Sequence, residues 1–531
     1  MSPPKGSLCL LLHGHLPFIR HPEKTECLEE DWFFEALTEV YLPLLEIFQR
    51  LRAEGVEFKV ALSLSPTLTA MWKDPLLIQR YDRHLEQLIR LSEAECRRTA
   101  HRQEFAPLAQ MYQERFLKVR KLWVDTFHRD LTEILRDLHE TGHVELITTA
   151  ATHGFLPLME VTPEALKAQI EIGCESFRRL FGFRPAGFWL PECGYTPLIG
   201  KFLVEKGIRY TFVETHGLLH ATPRPKFGVY APIKTPEGLV LLGRDPETAR
   251  GVWSSIDGYP GDFWYRDFYR DIGFDLPEQD LKPFLIHGGI RTATGIKYYR
   301  ITGKTDQKEP YSRARALEKV QAHAGNFLFN RERQVETLAE VMGQPPVVVS
   351  LYDAELFGHW WFEGPEWLEA TFRKFHLHRS VVATATPSEV LERIPTVQEV
   401  SPHLSTWGWK GYNEMWLQGA NAWIYRHLHR AAWRMGQLRH EHPDAQGTLL
   451  RALTQALREL LLAQASDWAF ILAQGTATEY ARESLKRHLG RFTRLYEEIQ
   501  RGFVQEEWLA CLEAQDNLFD FLDVRVYPKS P

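Results

Sequence analysis

Short apolar runs recur along the chain, and each is followed by polar or histidine-bearing residues. They are Leu8–Leu12, Phe58–Leu64, Val144–Thr148, Gly187–Leu190, Tyr210–Val213, Phe284–His287, Val347–Tyr352 and Val381–Thr384. Patterns of helical spacing lie between most of them. Runs this short, bounded by helices, predict parallel strands buried on both faces. Seven or eight strand–helix units predict an α/β barrel rather than an open sheet.

Two stretches break the alternation. Residues 75–140 are almost wholly helical and charged, as in Tyr81–Cys96 and Phe105–Leu138, which predicts a helical insertion between the second and third strands. From residue 405 no strand pattern remains, and long helices are expected near Ala420–Gln437, Thr448–Leu472 and Glu479–Gln500. The predicted division is a catalytic barrel over 1–404, carrying the insertion, and an all-helical domain over 405–531. The tail Asp523–Pro531 is expected to be irregular. No internal repeat or low-complexity tract is present.

Composition narrows the function classes. The chain has 531 residues, 44% of them apolar, which is enough for a large core. A net charge of −6 argues against a nucleic-acid partner bound mainly by electrostatics. No apolar run reaches the ~18 residues of a membrane span, and the run Leu8–Leu12 is too short for a signal peptide. Six cysteines without metal spacing read as reduced thiols, so a cytoplasmic protein without membrane contact is expected. Sixteen tryptophans tilt the reading toward sugars, whose rings stack on aromatic faces, although tryptophan also fills cores.

In a parallel barrel, chemistry sits where strands end. His13-Gly14-His15 follows the first run, and Thr152-His153 follows the third. Pro191-Glu192-Cys193, His287-Gly288-Gly289 and Asp353-Ala354-Glu355 follow three others. No GxSxG turn and no glycine-rich phosphate loop accompanies them. Two strand-end carboxylates among histidines and tryptophans suit glycosidic bond cleavage, which needs one carboxylate ionised and one carboxyl protonated. Two charges ~5 Å apart at an effective dielectric of ~20 repel by roughly 3 kcal/mol, or about two pK units. That is enough to split the pair near neutral pH. No cofactor or metal is required by this chemistry. A different class stays open, a metal-dependent hydrolase using His13 and His15 as ligands.

Several segments resemble glycoside hydrolase family 57, and within it the α-1,4-glucan branching enzymes. They are His13–Pro17, Gly142–Thr148 with Thr152-His153, Trp189–Glu192, Val252–Ser254 with Gly258–Gly261, Tyr352–Trp361, Ser405–Gly408 and Ser466–Trp468. They run nearly end to end, in the family's order. The resemblance implies a seven-stranded (β/α) barrel with a helical insert and a helical C-terminal domain. It implies an α-1,4-glucan substrate, Glu192 as nucleophile and Asp353 as general acid/base, with Asp353 favoured over Glu355. It further implies that His13, His15 and His153 line the donor-sugar subsite. Trp32, Trp253, Trp407 and Trp416 are expected to stack on glucan, and Asp467 to reach the cleft from the helical domain. The expected reaction is transfer of a glucan chain to a sugar 6-hydroxyl. An α-amylase or a 4-α-glucanotransferase would use the same two carboxylates.

The segment His220–Arg244 carries four prolines and two apolar arms, Phe227–Ile233 and Leu239–Leu242, joined by the turn-like Lys234–Gly238. It reads either as a surface hairpin or as a lid over the acceptor cleft. The family's loop bears a tyrosine near the nucleophile. Here the turn has none, and Tyr230 in the first arm is the nearest candidate.

Overall fold

The computed structural model describes residues 3–254, 256–284, 289–394 and 398–529. Its strands are β1 Gly6–Gly14, β2 Val60–Leu64, β3 Val144–Thr149, β4 Gly187–Trp189, β5 Tyr210–Val213, β6 Ile233–Lys234, β7 Val240–Gly243, β8 Val347–Asp353, β9 Val382–Thr384 and β10 Gln398–Glu399. The order is β10-β6-β7-β5-β4-β3-β2-β1-β8, with β9 also paired to β1. Seven of these, β7-β5-β4-β3-β2-β1-β8, run parallel. Asp245, just past β7, donates its N–H to Val349 of β8 at 2.8 Å and brings the ends of the row together. The fold is a (β/α)7-type barrel with an inserted helical region and an all-helical C-terminal region.

Alternation along the strands explains where the chemistry falls. Cys9 and Leu11 of β1, Ala61 of β2, Ile147 of β3 and Val347, Val349 and Leu351 of β8 fill the barrel interior, while Leu8, Leu10 and Leu12 pack outward. Continuing those series by two residues brings His13, Ser63 and Asp353 to the inner side at the C-terminal mouth. The register agrees, because His13 lies opposite Ser63 on one side and Asp353 on the other.

One sequence expectation is revised here, one falls mostly outside the described residues, and the irregular tail gains a contact. Leu239–Leu242, read as one arm of a hairpin, does pair antiparallel with β6, yet its main role is as β7, a barrel strand parallel to β5. The expected strand at Phe284–His287 falls largely outside the described residues, and Phe284 itself closes a 3-10 turn. The tail is docked: Val524 and Tyr527 are buried, and the Tyr527 hydroxyl donates to the Ala432 carbonyl at 2.9 Å.

Between β2 and β3 stand the helices Pro66–Lys73, Pro75–Thr99, Ala106–Lys121 and Thr132–Glu140. Two of them brace a distant loop. Tyr112 donates to the Lys297 carbonyl at 2.9 Å, and Glu95 accepts from Tyr298 at 2.8 Å. The C-terminal helices are Trp423–Glu441, Gly447–Ala463, Ser466–Gln474, Thr478–Gln500 and Glu506–Gln515. The single helix expected over Thr448–Leu472 is two. It breaks at Gln464-Ala465, where Ala465 forms a bridge with Gly154 and the Ser466 N–H donates to the His153 carbonyl. Among the described residues no helix is long and apolar enough to cross a membrane.

Candidate active site

A cleft of about 1110 Å³ opens at the C-terminal mouth of the barrel. It is larger than the ~300–1,000 Å³ of ordinary small-molecule pockets, so it has room for a chain of sugar units. Its lining includes His13, His15, Trp32, His153, Glu192, Trp253, Asp353, Trp407, Trp416 and Asp467. Ten of the eleven site residues expected from sequence are therefore brought together.

Glu192 sits in a tight turn, Pro191–Cys193, after β4. It and Cys193 both have positive φ, 60° and 55°, a region costly for residues with a Cβ. The turn is held by Cys193 N–H to the Leu190 carbonyl at 2.9 Å and by Trp407 N–H to the Glu192 carbonyl at 3.0 Å. The Trp407 indole then donates to Glu192 Oε2 at 2.7 Å. Trp407 is thus more than a stacking face. Burial pushes the Glu192 carboxyl up to about 7; the Trp407 N–H opposes this and the Asp467 charge adds to it.

Asp353 ends β8. Burial, then the charges of Glu355 and Glu192, push its carboxyl well above the usual carboxylate range, against the pull of Arg244. Glu355 takes hydrogen bonds from the Tyr41 hydroxyl and, at 3.1 Å, from the His15 N–H. Its carboxylate is occupied in holding the first strand end.

The three histidines form a stacked row. His13 and His153 share a hydrogen bond between their Nε2 atoms at 2.9 Å, and their Nδ1 atoms bond Ser63 Oγ at 3.1 Å and Ser466 Oγ at 3.0 Å. Burial and the charge of His15 hold both well below the ordinary imidazole range. His15 stacks on His153 at 3.8 Å and donates from Nε2 to Asp467 at 3.0 Å. Burial opposes its protonation, but the Asp467 charge and hydrogen bond outweigh it, so His15 is raised. All ring nitrogens of His13 and His153 are engaged by protein, which leaves this row poorly suited to hold a metal ion.

The tryptophans differ in role. Trp253 is partly exposed and stands edge-on to Trp407 at 6.0 Å. Trp32 is half-buried against Tyr480. Trp416 is buried and stacked on Phe155 at 4.5 Å, so it forms the base of the wall. It needs Gly408, since a Cβ there would come within 2.6 Å of its ring.

Tyr230 is the exception. Its hydroxyl donates to Asp245 at 3.2 Å, its carbonyl accepts from Val347 N–H, and it does not line the cleft. The arm that carries it packs beside the start of β8 because its neighbour, β7, is built into the barrel wall.

The sequence reading also missed residues. Ser63 was visible in principle, as the polar end of the β2 run. Arg244 follows β7, places its guanidinium 5.2 Å over the Trp407 ring and donates to Glu214 at 3.0 Å. Tyr41 lies in a helix and gave no strand-end signal.

A mouth with two carboxyls of unequal acidity, flanked by aromatic faces, defines a glycoside-bond-cleaving class. Residues 9–402 match the family described as glycosyl hydrolase family 57, and residues 427–527 match the region described as 1,4-alpha-glucan branching enzyme, C-terminal. The chain belongs to glycosyl hydrolase family 57. It is 33% identical to a 1,4-alpha-glucan branching enzyme of Thermococcus kodakarensis, over 97% of this chain and 77% of that one. Among solved structures it is similar to an alpha-amylase of Thermotoga maritima, with TM-score 0.92 and 39% identity over 99% of both chains. It is also similar to a branching enzyme of Pyrococcus horikoshii, with TM-score 0.89 and 31% identity over 99% of this chain and 98% of that one.

Proposed function

We propose that the chain is a 1,4-α-glucan branching enzyme, a retaining transglycosylase with Glu192 as nucleophile and Asp353 as general acid/base. The observation that carries the catalytic roles is the unequal pair. Asp353 is pushed well above the usual carboxylate range, while Glu192, given an N–H donor by Trp407, is held to about 7. Above that pH the group able to attack is Glu192 and the group still able to give a proton is Asp353.

In the first step Asp353 protonates the glycosidic oxygen as the Glu192 carboxylate attacks C1. The C1–O bond breaks, the chain with the new 4-hydroxyl leaves, and a glucosyl ester forms on Glu192. In the second step the Asp353 carboxylate takes the proton of a 6-hydroxyl on an acceptor glucan. That oxygen attacks C1, the ester breaks, and an α-1,6 link results. Two inversions retain the α configuration. No cofactor enters either step. Water at roughly 55 M competes for the ester, so the cleft must position sugar strongly enough to win by several kcal/mol.

Transfer in place of hydrolysis is supported by the match of residues 427–527 to the branching-enzyme C-terminal region. The similarity to the Thermotoga maritima amylase supports a second reading, hydrolysis by the same pair. Incubation with amylose, then debranching and chain-length analysis beside a reducing-end assay, separates them. New α-1,6 links in excess of released reducing ends support branching, and reducing ends alone support the amylase. We further place the catalytic domain at 1–404, with the insert at 75–140 and the helical domain at 405–531. The place we infer for it is cytoplasmic α-glucan storage metabolism, which six free cysteines support.

A further inference from the structure

One wall of the cleft takes no part in the scheme above. Helix Asp31–Ala36, Glu39, residues 268–274 and 293–297, and the turn after β8 contribute to it. Several of its charged groups are matched within the protein. Glu39 accepts from His359 Nδ1 at 2.6 Å, Lys297 donates to the Phe268 carbonyl at 2.6 Å, and Asp271 accepts from the Thr294 hydroxyl at 2.8 Å. Glu35 lines the same cleft, half-buried, and carries neither a hydrogen bond nor an ion pair among the described residues. A half-buried carboxyl without a protein partner keeps only part of its hydration, which costs the fold. Burial pushes it up to about 7, with the His359 charge opposing.

The surroundings indicate what would satisfy it. His359 is followed by Trp360, which is 56% exposed and lines the cleft. One indole face stacks on Phe268 at 4.4 Å, and the Lys297 ammonium lies 4.2 Å from the Phe268 ring. The platform is therefore held on one face, and Trp360 stays exposed to the cleft. An apolar plane and a hydroxyl acceptor lining one cleft are the combination that a sugar ring matches.

We propose that Glu35 binds a hydroxyl of a glucose unit in an outer subsite of the cleft, beside the Trp360 platform; this rests on the α-glucan reading above. Glu35 is then kept for binding at a cost in stability. The test is calorimetric titration of maltoheptaose into the Glu192→Gln protein, in which turnover is blocked, with and without a change at Glu35. Glu35→Leu is expected to weaken binding about tenfold, the scale of a lost hydrogen bond to a carboxyl. Its Tm should stay equal or rise, because an unpartnered polar group has been removed. Glu35→Gln, which can still donate and accept, should bind within about threefold of the parent. Equal affinity of Glu35→Leu and parent overturns the proposal. So does a parallel loss of Tm and affinity in both variants, which would assign Glu35 to the fold. No binding of maltoheptaose by the parent would overturn the α-glucan reading itself, a result separate from either.

Discussion

Trp407 holds Glu192 twice, with its backbone N–H on the carbonyl at 3.0 Å and its indole N–H on the carboxylate at 2.7 Å. The two residues are 215 positions apart in sequence, yet one loop holds both the strained turn and the Glu192 carboxylate.

Trp407→Phe keeps the ring and removes the N–H. Glu192 works ionised, and a donor favours the ionised form, so losing it raises the carboxyl above about 7. The acid limb of kcat/KM should move to higher pH, and kcat should fall about ten- to a hundredfold. A pH–rate profile with an unmoved acid limb would show that the indole does not tune Glu192.

Glu192→Gln and Asp353→Asn should each remove nearly all transfer and hydrolysis, by at least ~10³-fold, with circular dichroism unchanged. Glu355→Gln should cost less. Its carboxylate receives Tyr41 and the His15 N–H and acts by placing the first strand end. A tenth of wild-type turnover in either of the first two variants would reverse the assignment.

Chelators should leave the rate unchanged, because His13 and His153 spend all their ring nitrogens on each other and on Ser63 and Ser466. Loss of activity in chelator, recovered with zinc, would instead point to a metal-dependent hydrolase.

Tyr230→Phe should leave the ratio of new α-1,6 links to reducing ends unchanged and cost roughly 1 kcal/mol of stability, the typical value of one hydrogen bond. The hydroxyl it loses faces Asp245. Deleting Phe227–Leu242 should abolish folding, since β7 goes with it. A changed product ratio in Tyr230→Phe with normal stability would restore the lid.

The parts legible in the sequence were those set by local pattern. Leu8–Leu12 followed by His13, and Val347–Tyr352 followed by Asp353, announce both strand and site, because alternation carries the inner face to the mouth. The arms Phe227–Ile233 and Leu239–Leu242 show where local pattern fails. The turn Lys234–Gly238 does close a hairpin, but four residues cannot reveal that the second arm also pairs with Tyr210–Val213. Partner choice is a tertiary fact. The same holds for Tyr41, a helical residue whose hydroxyl reaches Glu355, and for the helix break at Ala465, where nothing in the apolar spacing foretells the bridge to Gly154.

That break at Ala465 bears on how such a protein can be rebuilt. It hands Ser466 to His153 and Asp467 to His15, so the charge state of the imidazole row is set from the C-terminal helices. The two halves are not interchangeable modules. A chimera that grafts a foreign C-terminal half must reproduce this one turn to the residue, or the histidine row loses its Ser466 and Asp467 partners. Drift in product pattern is freer on the wall that bears Glu35 and Trp360, where a substitution alters what is held without touching how the bond is broken.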